Sequence, residues 1–248
     1  MISVVTLLDT IRFAAGVSIL AYASYTDIKT RRAPNVLWLI LGGLGLVLLG
    51  AEFFLTTRFI DYAIYLIFIP IIIGIVYVFF QLRLIFGGAD AKAIMAIAIL
   101  VPFHPFFYGF PLFFSPMPFS WVIFSNSIVI FLFVPLSLFV YNLIKKDICF
   151  PHCFLGYRMS LKKAEENFVW PLERIVDGHK RFSYVPHSFE SDDVYQGFKD
   201  AGFKHVWVTP KIPFMIPLLV GFICSFIIGV ILFLFMLSIL YHFFTCFK

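Results

Sequence analysis

Charge is what this sequence has least of. Only 13% of its 248 residues are Asp, Glu, Lys or Arg, and none of the four occurs between Ala93 and Ile144 or between Ile212 and Phe247. A water-soluble domain of this size needs charged side chains across its surface, so that class is excluded. A cleavable leader is missing too: Asp9 and Arg12 interrupt the first apolar run and no small-residue cleavage pattern follows, so the run reads as a retained span in a chain that begins near Met1. Cysteine is scarce. Of the scattered Cys149, Cys153, Cys224 and Cys246 only the first two are close, and the redox compartment cannot be read from them. With His152 they could offer three soft ligands, whereas structural zinc takes four in two pairs, so no metal or other cofactor is expected. There is no internal repeat, and no Ser, His and Asp combination stands out.

What is present is apolar. Hydrophobic residues make up 61% of the chain, and about 20 of them in a row suffice to cross a hydrocarbon layer of ~30 Å. Six spans can be drawn, near residues 4–26, 35–55, 61–81, 90–102, 120–144 and 212–243. The basic residues then sort by side. Lys29, Arg31, Arg32, Arg83, Lys92 and those from Lys145 to Lys211 fall on one face, sixteen of the nineteen in all, against Arg58 and Lys248 opposite and Arg12 inside the first span. The positive-inside rule makes that face cytoplasmic. The net charge of +5, which in a soluble protein would suggest nucleic acid, is thereby explained by topology, and the expected partner surface is the lipid bilayer.

Residues 146–210 differ from the rest, holding nine of the fourteen acidic residues. They predict a small soluble α+β domain, with helices over Ser160–Phe168 and Ser191–Ala201, each opening on a Ser that could cap it, and strands over Phe182–Val185 and Val206–Thr209. Residues 102–119 carry five prolines, cannot form a regular helix, and with their aromatics predict a segment lining the outer interface. The domain plan is therefore a five-span membrane part over 1–145, a cytoplasmic domain over 146–210, and a sixth span within 211–248. The fold class is an all-α polytopic membrane protein with a small α+β domain between spans five and six.

Two short polar islands interrupt this plan, one around Asp27 with Pro34 and Asn35, the other Gly87-Gly88-Ala89-Asp90-Ala91-Lys92. Each places a carboxylate where an apolar run meets a basic loop. The second island opens a span of only 12 residues, rising ~18 Å, so Asp90 is expected at a partly desolvated depth unless the bilayer thins. A carboxylate there is costly by roughly 2.5–3.5 kcal/mol and demands a partner, and Asp27 is the natural one. Two carboxylates sharing a site keep one proton between them and can hold a water, one as base and one as acid. Helix polarity would make Asp90 the base, being in a first turn, although Lys29, Arg31 and Arg32 near Asp27 push the other way. Gly87 and Gly88 could let a substrate backbone approach, or form an ordinary loop. Lys92, two positions after Asp90, does not share its helix face and reads as a snorkelling anchor. Pro34-Asn35 reads as a helix start. Asp9 and Arg12, about 27 Å of helix from Asp27, read as a structural ion pair. Glu190, Asp192 and Asp193 could steer a basic peptide or simply start a solvated helix.

Together the islands resemble the type IV prepilin peptidases, and most closely their archaeal branch, the preflagellin (prearchaellin) peptidases of the GxGD class of intramembrane aspartic proteases. Asp27 with Pro34-Asn35 is similar to that family's first site. Gly87, Asp90 and Lys92 match its G-x-G-D-x-K, with Ala89 in place of the second Gly, which suggests that smallness rather than positive φ is required there. The resemblance covers most of the chain and implies catalytic roles for Asp27 and Asp90, with Gly87, Gly88, Lys92, Pro34 and Asn35 as the supporting motif. It implies removal of a short basic signal peptide from preflagellin or related prepilin-like precursors. The bacterial members' N-methylation is not expected, because their paired-cysteine zinc motif is missing. From the residues alone a proton- or cation-coupled membrane carrier is the main rival, and a dispensable role for both aspartates in a secretion scaffold is the other.

Overall fold

The computed structural model describes residues 3–82, 87–106, 108–167, 169–176, 178–182, 191–211 and 213–231. Its elements in chain order are α1 (Val4–Thr30), α2 (Asn35–Leu55), α3 (Arg58–Asp61), a 3-10 turn (Ala63–Ile67), α4 (Phe68–Gln81), α5 (Gly88–Leu100), α6 (Phe119–Phe131) and α7 (Phe133–Lys145). There follow α8 (His152–Leu155), β1 (Tyr157–Ser160), α9 (Leu161–Glu166), β2 (Val169–Pro171), β3 (Glu173–Val176), β4 (His179–Phe182), α10 (Ser191–Asp200), β5 (His205–Pro210) and α11 (Met215–Ile227). Two compact units result, one within Met1–Phe131 and Pro213–Lys248, the other within Leu132–Ile212.

In the first unit α2 packs on α5, α6 on α11, and α1 on both α2 and α11. The helix α5 explains this order. After Lys92 it carries no charge, and Ala91, Ala93, Ala96 and Ala98 are buried around it, as befits a helix that is apolar all round. Small side chains let α2 approach closely. A Cβ placed on Gly45 would lie 2.8 Å from the backbone N and Cα of Leu100, so only glycine fits where α2 crosses the end of α5.

Four helical stretches are long and apolar enough to cross a membrane: Val4–Thr30, Asn35–Leu55, Ala63–Gln81 and Phe119–Lys145. The helix α11 is shorter, and the sixth expected span runs past residue 231, outside the described residues. Two of the stretches are interrupted. Residues 61–81 divide into the end of α3, the 3-10 turn and α4, whose Pro70 sits in a first turn that needs no N–H at that position. Helices α6 and α7 part at Leu132 because Pro135 cannot donate to the carbonyl of Phe131. The proline-rich segment is non-helical as expected, but it does not simply line an outer surface. Tyr108 and Phe114 are exposed, whereas Phe103 and His104 are buried. The physical reason is the length of α5. Its 13 residues rise only about 20 Å, so the chain that leaves Leu100 is still inside the bundle.

In the second unit β5 is the central strand of a three-stranded antiparallel sheet, order β1-β5-β2, with Arg158 opposite Trp207 and Trp170 opposite Thr209. Strands β3 and β4 form a separate hairpin. Helices α9 and α10 cover the sheet over a core of Leu161, Ala164, Val169, Tyr195, Phe198, Val206 and Val208. The expected helices and the strand at 206–209 are present, while the other expected strand begins at Phe182, the last residue of β4, and its residues 183–185 lie outside the described residues. Ser160 stands at the N-cap of α9 without making a side-chain cap bond. Strands β1, β2 and β3 were not legible. Each has only three or four residues and none alternates cleanly between buried and exposed positions over enough length to register.

Candidate active site

The first island is shaped by how α1 stops. Arg31 takes the left-handed conformation at φ 55° and its N–H donates to the Asp27 carbonyl at 2.9 Å, closing the last turn. Pro34, extended at φ −61° and ψ 133°, then starts α2, with Asn35 its first residue. The Asp27 side chain is half-buried on this last turn, while Lys29 lies over the Tyr25 ring at 4.6 Å to the centroid.

The second island is the start of α5. Gly87 is the N-cap, and Asp90 lies in the first turn, where a helix favours negative charge. The Asp90 side chain folds back over Gly87: a Cβ there would come within 2.1 Å of Asp90 Oδ2. Gly87 has φ −96°, so what the position requires is room for the carboxylate and not backbone freedom. At Gly88 a Cβ would meet only the Phe80 ring, at 3.6 Å, an ordinary contact. Ala89 is helical and not among the residues with positive φ, in keeping with smallness as its requirement.

The fold joins the islands in two ways. Asp27 is near enough for its charge to bear on Asp90; among the described residues no direct hydrogen bond links the two carboxylates. Lys92, exposed as an anchor would be, also donates from Nζ to Asn35 Oδ1 at 2.9 Å. That bond ties the second turn of α5 to the start of α2 across 57 residues of sequence, a contact that spacing along one helix cannot reveal. Two neighbours were also missed. Ser24, one turn before Asp27, and Trp38, one turn after Asn35, are both buried, and among the described residues their Oγ and Nε1 have no hydrogen-bond partner. Their i−3 and i+3 spacing from the island residues was the available signal.

The remaining expected residues stand apart. Asp9 and Arg12 do pair, at 3.0 Å, near the other end of α1. Cys149 Sγ and His152 Nδ1 are 3.7 Å apart, and burial lowers the His152 pKa below its ordinary value. Among the described residues no three His, Cys, Asp or Glu side chains gather as a metal site. Glu190 and the side chains of Asp192 and Asp193 lie outside the described residues, as does Arg83. A hollow of about 650 Å³ lined by Ser3, Thr6, Phe106, Tyr108 and Phe114 contains none of the island residues.

Comparison with known proteins bears on the same segments. Residues 14–143 match the Type IV leader peptidase family, and residues 149–231 match the Archaeal Peptidase A24 C-terminus Type II. The preflagellin peptidase of Methanococcus voltae is 28% identical over 235 residues, covering 88% of this chain and 95% of that protein. The preflagellin peptidase of Methanocaldococcus jannaschii is also 28% identical, over 88% and 94%, and that of Methanococcus maripaludis 26%, over 88% and 95%. The first family match takes in both islands and more than half of the chain, so the protein belongs to the Type IV leader peptidase family and is a peptidase.

Proposed function

We propose that this protein is an intramembrane aspartic endopeptidase that removes the short basic signal peptide from preflagellin or a related type IV prepilin-like precursor, with Asp27 and Asp90 as its catalytic pair. Family membership and the names of the relatives support the substrate class. The observation that supports the site assignment is the Lys92 Nζ bond to Asn35 Oδ1 at 2.9 Å, which brings the start of α5, with Asp90, beside the island that holds Asp27. The reading extends to six spans, with 1–145 carrying the pair, 146–210 a cytoplasmic domain and 211–248 the last span, and to cytoplasmic placement of both aspartates. A carrier needs coupling sites near the midplane, and membership in a peptidase family removes the reason to prefer one.

The chemistry follows from one proton shared by two acids. The ionised aspartate takes a proton from a water as its oxygen attacks the scissile carbonyl, and the protonated one donates to the carbonyl oxygen. The resulting diol collapses with proton transfer to the amide nitrogen, breaking the C–N bond and restoring the pair. The N-terminus of α5 faces Asp90 and the Arg31 charge acts on Asp27, so each carboxylate has its own electrostatic support and the proton belongs to the pair. Lys92 holds Asn35 beside it as a positioning contact, and the Ser24 Oγ and Trp38 Nε1 groups, which have no hydrogen-bond partner among the described residues, are suited to hydrogen-bonding a peptide backbone.

The test is incubation of the purified protein in detergent with a preflagellin, followed by mass determination of the product. A single new N-terminus just before the hydrophobic helix, formed equally in the presence of a chelator, is the expected result. No product, or a chelator-sensitive one, would overturn the reading. The glycines give a sharper check. Gly87→Ala pushes the Asp90 carboxylate aside and should lower the rate about 100-fold, the penalty for misplacing a reacting group by about 1 Å. Gly88→Ala should leave it within a few-fold, and equal losses in the two variants would argue against a spatial role for Gly87.

A further inference from the structure

At the opposite end of α1 from Asp27, the bundle encloses four charged side chains, Asp9, Arg12, Glu52 and Arg58, each at least nine-tenths buried. They form a closed ring. Arg12 Nη1 donates to Asp9 Oδ1 at 3.0 Å and its Nη2 to Glu52 Oε2 at 2.6 Å. Arg58 donates to Asp9 from Nη1 and Nη2 at 2.6 and 2.8 Å, and from Nε to Glu52 Oε1. Each guanidinium thus bridges both carboxylates, all four carboxylate oxygens are used, and the ring is neutral. Such forked pairing is what makes charge tolerable away from water.

The ring also serves backbone groups that nothing else in a bilayer could satisfy. The last four carbonyls of a helix have no partner within it, and lipid offers none. Arg12 Nε donates to the carbonyl of Leu100, the final residue of α5, at 2.9 Å. Beyond it the buried non-helical chain is held by Arg58 Nη1 to the His104 carbonyl at 3.5 Å and by the Phe106 N–H donating to Asp9 Oδ2 at 2.8 Å. Four helices meet at the ring: α3 supplies Arg58, and the other three, α1, α2 and α5, carry Asp27, Asn35 and Asp90 at their opposite ends.

We propose that this ring is a depth clamp: by capping the short α5 inside the bundle it sets the height of Asp90 against Asp27, and with it the peptide bond that is cut. The inference rests on the proposed cleavage of a precursor whose hydrophobic helix sits in the same membrane. A rigid helix transmits an axial shift along its full length, so a slip at Leu100 moves Asp90 by the same amount. The substrate helix stays at its own depth, and the bond presented to the carboxylates changes. Asp9, Arg12, Glu52 and Arg58 are therefore positioning residues and touch no substrate.

The variant Arg12→Lys keeps the charge but loses the fork and the Nε–H donated to Leu100. In folded protein, verified by its melting profile in detergent, hydrogen exchange of the amides at 101–106 should rise. Its kcat on preflagellin should fall about 10–100-fold with KM unchanged, and the product should carry more than one N-terminus. A wild-type kcat with a single terminus, despite faster exchange, would overturn the proposal, and so would unchanged exchange. If Arg12→Lys does not fold, the double variant Asp9→Asn, Arg12→Met leaves Arg58 and Glu52 balanced and is read the same way. Failure of the wild type to cleave any preflagellin would sink the cleavage reading instead, while exchange at 101–106 still decides whether the ring holds α5.

Discussion

Asp27→Asn and Asp90→Asn should each abolish precursor cleavage, with a loss of at least about 10²–10⁴-fold, while leaving the protein folded. Asn matches Asp in shape and can still hydrogen-bond, so the last turn of α1 and the first turn of α5 keep their geometry. What it cannot do is accept a proton from water or hold the one that the pair shares. The two losses should be of similar size, and the double variant should be no worse than either alone, because groups that act as one unit are not additive. Cleavage rates per folded molecule, with folding checked by melting in detergent, decide the matter. Retained activity in either variant would remove that residue from the catalytic pair. Substitution of Asp61, which lies at the end of α3 and away from both islands, provides the control.

The largest stability effect should come from the buried ring. Arg58→Met leaves Asp9 and Glu52 with a single cation between them, and both are within 1% of fully buried. Removing one partner of a buried ion pair destabilises by about 3–5 kcal/mol, because the charge left behind remains desolvated. The His104 carbonyl would lose its donor, and Asp9, which accepts from the Phe106 N–H, would lose one of its two cations. Arg158→Met provides the comparison: Arg158 pairs with Asp147 at 3.2 Å, but their side chains are 48% and 31% exposed, so about 0–1 kcal/mol is at stake. Thermal unfolding of the two variants in detergent should therefore separate them clearly. Similar melting points would mean that water reaches the ring, or that the bundle relaxes around the lost charge.

The contrast between these two sets of charges shows where reading the chain succeeds and where it stops. Asp27 and Asp90 could be singled out as candidates because each lies where a long apolar run ends, and the scarcity of other charges makes them conspicuous. Asp9 and Arg12 could be paired because they are three apart on one helix. Glu52 and Arg58 could not be joined to them, since contacts 40 and 49 residues away leave no mark in local spacing. The Lys92 bond to Asn35 escaped for the same reason. In the second unit the helix at α10 was legible from its opening Ser191, whereas β1, β2 and β3 owe their existence to pairing with other strands. A strand of three or four residues has too few side chains to show a period.

The sequence by itself determined that the chain is built of apolar helices, that a compositionally distinct α+β segment interrupts them, and that two acids stand at helix ends within basic islands. Hydrophobic runs, prolines and charge placement act locally, so they can be read locally. Only the tertiary structure decided that Asp90 leans over Gly87, that Lys92 reaches Asn35, and that the short α5 ends inside the bundle against Arg12. Those outcomes depend on which helices pack together and at what height. That is fixed by small residues such as Gly45 and by buried charges that must find one another across the fold, because lipid gives them no alternative partner.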